Sequence, residues 1–232
     1  MKDLFGKALL DFSNNNYTED LVTSTNISGE DNLPLPYLFR TFSEMPKIEK
    51  KALNMARGKV LDVGCGSACH SLYLQEKGLD VSAIDISKGA VEVARSRGVK
   101  NAVMKDILDE TETFDTILLL MNGTGIFQEL TQVSKYLAHL KTLINPNGQL
   151  LIDSSDIKYM YEDDDGGLWI DTNAGYYGEL DYFLSYKGEN ETPMKWLYLD
   201  FENLTLACES VGFRCEKVMD GEHFDYLAKL SL

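Results

Sequence analysis

Residues 60–71 read Val60-Leu61-Asp62-Val63-Gly64-Cys65-Gly66-Ser67-Ala68-Cys69-His70-Ser71, and the fold is decided there. Three apolar residues around Asp62 read as a short strand, Gly64-x-Gly66 as a turn, and Ala68 onward as the start of a helix. A strand feeding a glycine turn and then a helix is a nucleotide-cradling unit. Glycines let backbone approach a ligand with no side chain between them. The helix start adds free N–H groups and a partial positive charge.

Outward from this unit the chain alternates strand and helix. Asp80–Asp85 reads as strand two and Val99–Met104 as strand three, with a helix capped by Ser87 between them. Phe114–Met121 is a nearly unbroken apolar run, suited to a central strand buried on both faces. Leu130, Val133, Leu137, Leu140 and Ile144 recur three and four apart on one helical stripe. Asn145-Pro146-Asn147-Gly148 reads as a turn and Gln149–Asp153 as strand five. A helix around Leu204–Val211 and two strands about Asp220-Gly221 finish the chain. Residues 1–58 are weakly patterned and read as a helical segment before the core of 59–232. The alternation is interrupted at about 157–199. There Leu180, Tyr182, Leu184 and Tyr186 alternate with polar neighbours, which predicts an inserted β-hairpin. The pattern as a whole predicts an α/β fold: a doubly wound, mostly parallel sheet with helices on both faces.

Ligands in such sheets lie beyond the carboxyl ends of the strands. Those ends carry Gly64, Cys65 and Gly66; Asp85 and Ile86; Asp106 and Ile107; Met121 and Asn122; and Asp153–Asp156. Asp85, about twenty residues past the turn, is placed to accept from two ribose hydroxyls; the plainer alternative is a helix cap. Asp106 suits an adenine amine, with Ile107 as an apolar wall, or caps a helix turn. A dinucleotide turn needs a third glycine where Cys69 stands, and Asp62 would repel a pyrophosphate. Asp62 instead suits a ligand bearing ammonium and sulfonium charge, or is satisfied by the N–H groups of its own turn.

The composition is that of a globular domain, 44% hydrophobic and 25% charged, with a formal net charge of −15. Such acidity argues against a nucleic-acid partner. No apolar run approaches the ~20 residues of a membrane span. With no signal peptide pattern at Met1–Asn16, a cytoplasmic location is expected. Cys65, Cys69, Cys208 and Cys215 show no C-x-x-C spacing and read as free thiols.

With these residues in place, the chain resembles the class I S-adenosylmethionine-dependent methyltransferases. LDVGCGSA (61–68) resembles the family's first motif, with Ala68 at the last glycine. AIDIS (83–87), MKDIL (104–108), FDTILLLMNG (114–123), LINPNGQLLIDSSD (143–156) and ESVGFRCEKV (209–218) resemble the motifs that follow. Tyr177-Gly178-Glu179 and Lys195–Asp200 resemble a bacterial subgroup. The resemblance implies a seven-stranded sheet with the last strand antiparallel and S-adenosyl-L-methionine as cofactor. It further implies ribose held by Asp85 beside Ile86, and adenine held by Asp106 and Ile107. The methionyl group would lie by Gly64, Cys65 and Gly66 over Asp62, with Met121 alongside. The segment 1–58 would close the pocket, with Arg40 pairing with the methionyl carboxylate; a surface arginine is the alternative.

Methyl transfer needs mainly an in-line geometry, with a base where the acceptor must lose a proton. Asn122 and His223 are the candidate catalytic groups, Asn122 being equally suited to fixing its own loop. His70 reads as structural and His139 as a surface residue. The carboxylates Asp153, Asp156 and Glu162–Asp165 are hard oxygen ligands, but strand four ends without an acid, and no metal is expected. The aromatic residues between Trp169 and Tyr198 suit a substrate pocket, a hairpin face or a homodimer contact. The expected activity is methyl transfer to a small molecule. A Rossmann-type oxidoreductase and a non-catalytic cofactor-binding module are the other two readings.

Overall fold

The computed structural model describes residues 2–163, 165, 167–170 and 175–232. Asp164 and Gly166 of the acidic run, and residues 171–174 of the insertion, lie outside it. The chain opens with α1 (Leu4–Ser13), β1 (Leu21–Thr25), β2 (Ser28–Leu33), α2 (Leu35–Leu38) and α3 (Lys47–Met55). The alternation then runs β3 (Lys59–Val63), α4 (Cys69–Glu76), β4 (Asp80–Asp85), α5 (Lys88–Ser96), β5 (Asn101–Met104), β6 (Phe114–Leu119), α6 (Leu130–Thr142) and β7 (Ile144–Ser155). The insertion supplies β8 (Glu179–Tyr186), β9 (Glu189–Asn190) and β10 (Met194–Leu197), and α7 (Phe201–Ser210), β11 (Arg214–Asp220) and β12 (Asp225–Ser231) close the chain.

The main sheet has seven strands in the order β11-β12-β7-β6-β3-β4-β5. Pairs from β7 to β5 are parallel, whereas β12 runs antiparallel to both its neighbours. The order reverses between β3 and β6, which puts a crevice above their carboxyl ends. The apolar runs of the sequence are explained by two covered faces. Leu61, Ile117, Leu119, Leu150 and Ile152 face α6 and α7, packing with Leu137, Leu140 and Leu204. Val60, Leu118, Leu120 and Leu151 point the other way, to Ile48, Ala52 and Leu74 of α3 and α4. The expected turn at 145–148 is instead a bulge inside β7. Phe114 pairs with Ile144 and Thr116 with Gln149, so three extra residues loop out, with Asn147 at φ 65°.

A second sheet was only half visible in the sequence. The inserted hairpin forms, with β8 antiparallel to β10, but β8 also pairs with β1, and β1 with β2, giving the order β10-β8-β1-β2. The first 58 residues are therefore not wholly helical. Val22, Thr23 and Thr25 favour extended backbone, and β8 supplies the partner that an isolated hairpin lacks. Leu4, Leu9, Leu21, Leu35, Leu184 and Tyr186 bind this sheet and α1 into one cap, which rests on Ala90 and Val93 of α5. α1 approaches α5 closely where Gly6 faces Gly89; a Cβ on Gly89 would lie 2.5 Å from the Gly6 carbonyl carbon.

Candidate active site

The glycine turn takes left-handed backbone at Gly64 (φ 70°), Gly66 (φ 52°) and Ala68 (φ 66°). Gly64 and Cys65 donate to the Ile84 carbonyl, and Gly66 donates to Asp85 Oδ2 at 2.9 Å. Asp85 Oδ1 accepts from the Ser87 N–H at 2.8 Å. The acid that satisfies the turn is thus Asp85 and not Asp62. Asp62 is buried and accepts from Ser71 Oγ at 2.6 Å. Burial pushes the Asp85 carboxyl up from its ordinary range, outweighing its two N–H bonds.

A cavity of about 410 Å³ opens over the ends of β3, β4 and β5. It brings together Gly64, Asp85, Ile86, Asp106 and Ile107, five of the residues singled out from sequence. Ile86 is 57% exposed, an apolar side chain with no protein cover. Asp106 does cap a helical turn, accepting from Leu108 N–H at 2.9 Å, yet it also lines the cavity. The Ile107 carbonyl lies 2.9 Å from His139 Nε2, so His139 is a half-buried positioning group and not a surface one. Pro193, Met194, Lys195 and Trp196, at and beside β10, line the opposite side. Gly125 is needed there, because any Cβ would run into the Trp196 indole. Cys65 and Gly66 line neither of the two cavities described here. The Cys65 thiol is buried and pushed up by desolvation, and Gly66 faces the Phe5 ring of α1.

A second cavity, about 730 Å³, lies over the ends of β6 and β7. Tyr37, Glu49, Met121, Asn122, Asp153 and Asp225 line it, with the exposed His223 at the hairpin between β11 and β12. Among the described residues, none of the aromatic insertion lines this cavity, whereas Trp196 lines the smaller one. Tyr176 instead donates to Asp200 at 2.5 Å and Tyr177 to Asp156 at 2.8 Å, Tyr186 is buried in the cap, and Tyr182 packs on Trp196. Met121 (φ 67°) and Asn122 (φ 57°) form a left-handed corner held by Asp153, which accepts from the N–H groups of Met121 (3.1 Å) and Gly123 (2.9 Å). The Asn122 amide donates to the Leu197 carbonyl and its oxygen accepts from Ser154, so it fixes the loop. Asp153 is fully buried, and desolvation pushes its carboxyl up to about 7 despite the two N–H bonds. Pattern reading did not single it out as a catalytic group, since strand-end acids are common; its burial shows only in three dimensions.

Arg40 differs from expectation. It is buried, its Nη2 lies 2.6 Å from both Glu49 oxygens, and its Nη1 donates to the Tyr37 carbonyl at 2.7 Å. Glu49 also meets His70 Nε2 at 2.8 Å. Burial alone would neutralise both partners, but their pairing outweighs it and holds Glu49 low and His70 high. Arg40 therefore offers no free fork to a methionyl carboxylate; its charge is already matched inside the protein. Among the described residues no group of three or more His, Cys, Asp or Glu is arranged to hold a metal.

The family described as "Methyltransferase domain" matches residues 61–152, the span of both cavity floors. A SAM-dependent methyltransferase from Bacteroides fragilis, solved with S-adenosyl-L-homocysteine, is 44% identical to the chain. It superposes with a TM-score of 0.93, covering 100% of this chain and 95% of its own. The chain belongs to the S-adenosylmethionine-dependent methyltransferases. A ubiquinone biosynthesis O-methyltransferase from Rickettsia conorii is 25% identical over 115 residues, 47% of this chain and 38% of its own length. The chain spans less than half the length of such curated relatives. The sugar N-methyltransferase KedS8 from Streptoalloteichus shares the fold at 15% identity and TM-score 0.59, over 89% of this chain and 96% of its own.

The smaller cavity of this methyltransferase fits its family's cofactor. Asp85 keeps a free lone pair on each oxygen beyond its two N–H bonds. Ile86 presents uncovered apolar surface, and the left-handed glycine turn leaves open space at Gly64.

Proposed function

We propose that the chain transfers a methyl group to a small-molecule acceptor held in the larger cavity, with S-adenosylmethionine in the smaller one. The observation that carries this reading is the adjacency of the two cavities, walled off by one turn: Met121 and Asn122 line one, Gly125 and Ile126 the other. The cofactor, when bound, supplies a methyl group already activated by its sulfonium. Asp85 would hold the ribose hydroxyls, and Asp106 with Ile107 the adenine. Gly64, Cys65 and Gly66, over buried Asp62, would shape the methionyl seat, with Met121 beside it. Segment 1–58 would close that seat: the Leu38 carbonyl accepts from Ser67 and Cys69, and Phe5 lies against Gly66. The Bacteroides relative's bound S-adenosyl-L-homocysteine supports this assignment at 44% identity.

Asn122 orients the dividing turn and His223 stands at the mouth of the acceptor cavity. Six carboxylates around that cavity disfavour a nucleic-acid acceptor. None of the described helices is long and apolar enough to cross a membrane, and four free cysteines suit a reducing cytoplasm. Calorimetry with S-adenosylhomocysteine and with NAD tests the cofactor assignment. Binding of NAD without S-adenosylhomocysteine refutes it. A labelled-methyl screen against cell metabolites identifies the acceptor.

A further inference from the structure

We propose that Asp153 is the proton acceptor of the transfer, the group that takes the hydrogen an acceptor hydroxyl or ammonium must lose. The proposal rests on the methyl-transfer reading above. Asp153 lies in the buried part of β7, next to its last buried residue Ser154, and lines the acceptor cavity beside Met121 and Asn122. Its two oxygens each accept one backbone N–H, from Met121 and Gly123. These bonds fix the carboxylate on the turn between the cavities and leave each oxygen a lone pair.

The titratable groups that act on it most strongly are committed elsewhere. Glu49 of α3 and His70 of α4 face it, and both are spent on each other and on Arg40. Asp225 of β12 accepts the His223 N–H. The Tyr37 phenol, with Asp153 and Asp225 among its charged neighbours, is raised and stays protonated. No Lys or Arg side chain of the described residues bonds Asp153, so nothing fixes its charge permanently. Burial has brought this carboxyl to about 7, where a general base works best near neutral pH.

Its charge state then follows that of the donor site next door. A positive charge there favours the anion, and loss of that charge favours the acid. Asp153 accepts the acceptor's proton as the acceptor atom bonds to the methyl carbon. The carbon–sulfur bond breaks in the same step, leaving its electron pair on sulfur. Asp153 then releases the proton to solvent through the open cavity.

The test needs no acceptor. Full-length protein is titrated with S-adenosylmethionine and with S-adenosylhomocysteine in buffers of different ionisation enthalpy. Near pH 7 the charged ligand should release up to roughly half a proton more than the neutral one, since a group with a pKa near the pH is half protonated. Asp153→Asn should abolish that difference. Equal proton release by the two ligands, or a difference that persists in Asp153→Asn, overturns the proposal alone. Failure of both ligands to bind overturns the methyl-transfer reading and this proposal with it. Should Asp153→Asn not fold, infrared spectra of the wild type decide: a protonated-carboxyl band must bleach with S-adenosylmethionine and not with S-adenosylhomocysteine, and no bleaching refutes it.

Discussion

Asp85→Ala is the substitution that separates cofactor recognition from folding. In the folded chain Asp85 spends one lone pair of each oxygen on the Gly66 and Ser87 N–H groups and keeps one of each for a ligand. Two hydrogen bonds from vicinal hydroxyls to a carboxylate contribute about 1.5–3 kcal/mol each. Their joint loss of about 3–6 kcal/mol weakens binding roughly a hundredfold to ten-thousandfold. The cost to folding is smaller. The substitution orphans two N–H groups that can reach water in the cavity, and it removes a buried carboxyl whose burial raises its pKa. Calorimetric titration with S-adenosylhomocysteine, run beside thermal unfolding, measures both quantities on one preparation. Asp85→Asn should fall between, because its amide oxygen keeps one acceptor without the charge. A folded Ala variant whose Kd stays within about threefold of the wild type would sink the ribose assignment.

Ala68→Gly should stabilise the protein by about 1 kcal/mol, because Ala68 holds φ 66°, which glycine adopts without the steric penalty of a Cβ; an unchanged or lower Tm speaks against a strained turn. Arg40→Met should destabilise by about 3–5 kcal/mol, since it strips a buried Glu49 of one counter-charge, and a Tm shift of only about a degree would show the ion pair to be dispensable. Asp153 gives stability a pH signature: its folded pKa of about 7 lies above the ordinary carboxylate value, so its contribution is fully present below about 4 and is lost as pH rises through about 7. The loss is of the order of 4 kcal/mol, so wild-type stability should fall across that window relative to Asp153→Asn, and parallel stability curves would contradict it.

The core strands were legible because both faces of the main sheet are covered. A run such as Phe114–Met121 has few other soluble solutions, and the glycine spacing pointed to the sheet edge where the smaller cavity opens. Three features were illegible for definite reasons. β2 is Ser-Gly-Glu-Asp-Asn-Leu, a polar edge strand whose extended backbone is set by its partner β1 and not by its own pattern. Arg40 looked free because its partner Glu49 is nine residues on, across a proline and the start of α3, where no periodicity links them. The insertion was open to three readings, pocket, hairpin face or dimer contact, because aromatics serve all of them. Its tyrosines are used on Asp156, Asp200 and the cap. That Asp85 and not Asp62 satisfies the glycine turn has the same origin. Both stand at strand ends, and only the register of β3 on β4 decides which carboxylate reaches the glycine turn.

The two cavities draw their walls from different parts of the chain. The roof of the smaller cavity is β10, and β10 is fixed by β8, which pairs with β1 of the N-terminal segment. Glu191, between β9 and β10, accepts the N–H groups of Lys2 and Leu4, while Phe5, one residue on, lies against Gly66 of the turn. One small sheet therefore sets both the roof of the smaller cavity and the side where Phe5 meets the glycine turn, using contacts between residues 187 to 189 positions apart. The larger cavity borrows little from that sheet. Its walls are the Tyr37–Glu49 stretch, the Met121–Asn122 corner, the end of β7 and the loop from Met219 to Asp225. On the proposed reading, substitutions at Tyr37, Glu44 or His223 reshape the acceptor space and leave the cofactor contacts at Asp85 and Asp106 in place. Only the turn from Met121 to Ile126 stands between the two cavities, and Asp153 is the side chain that holds its first residues from the side of the larger one.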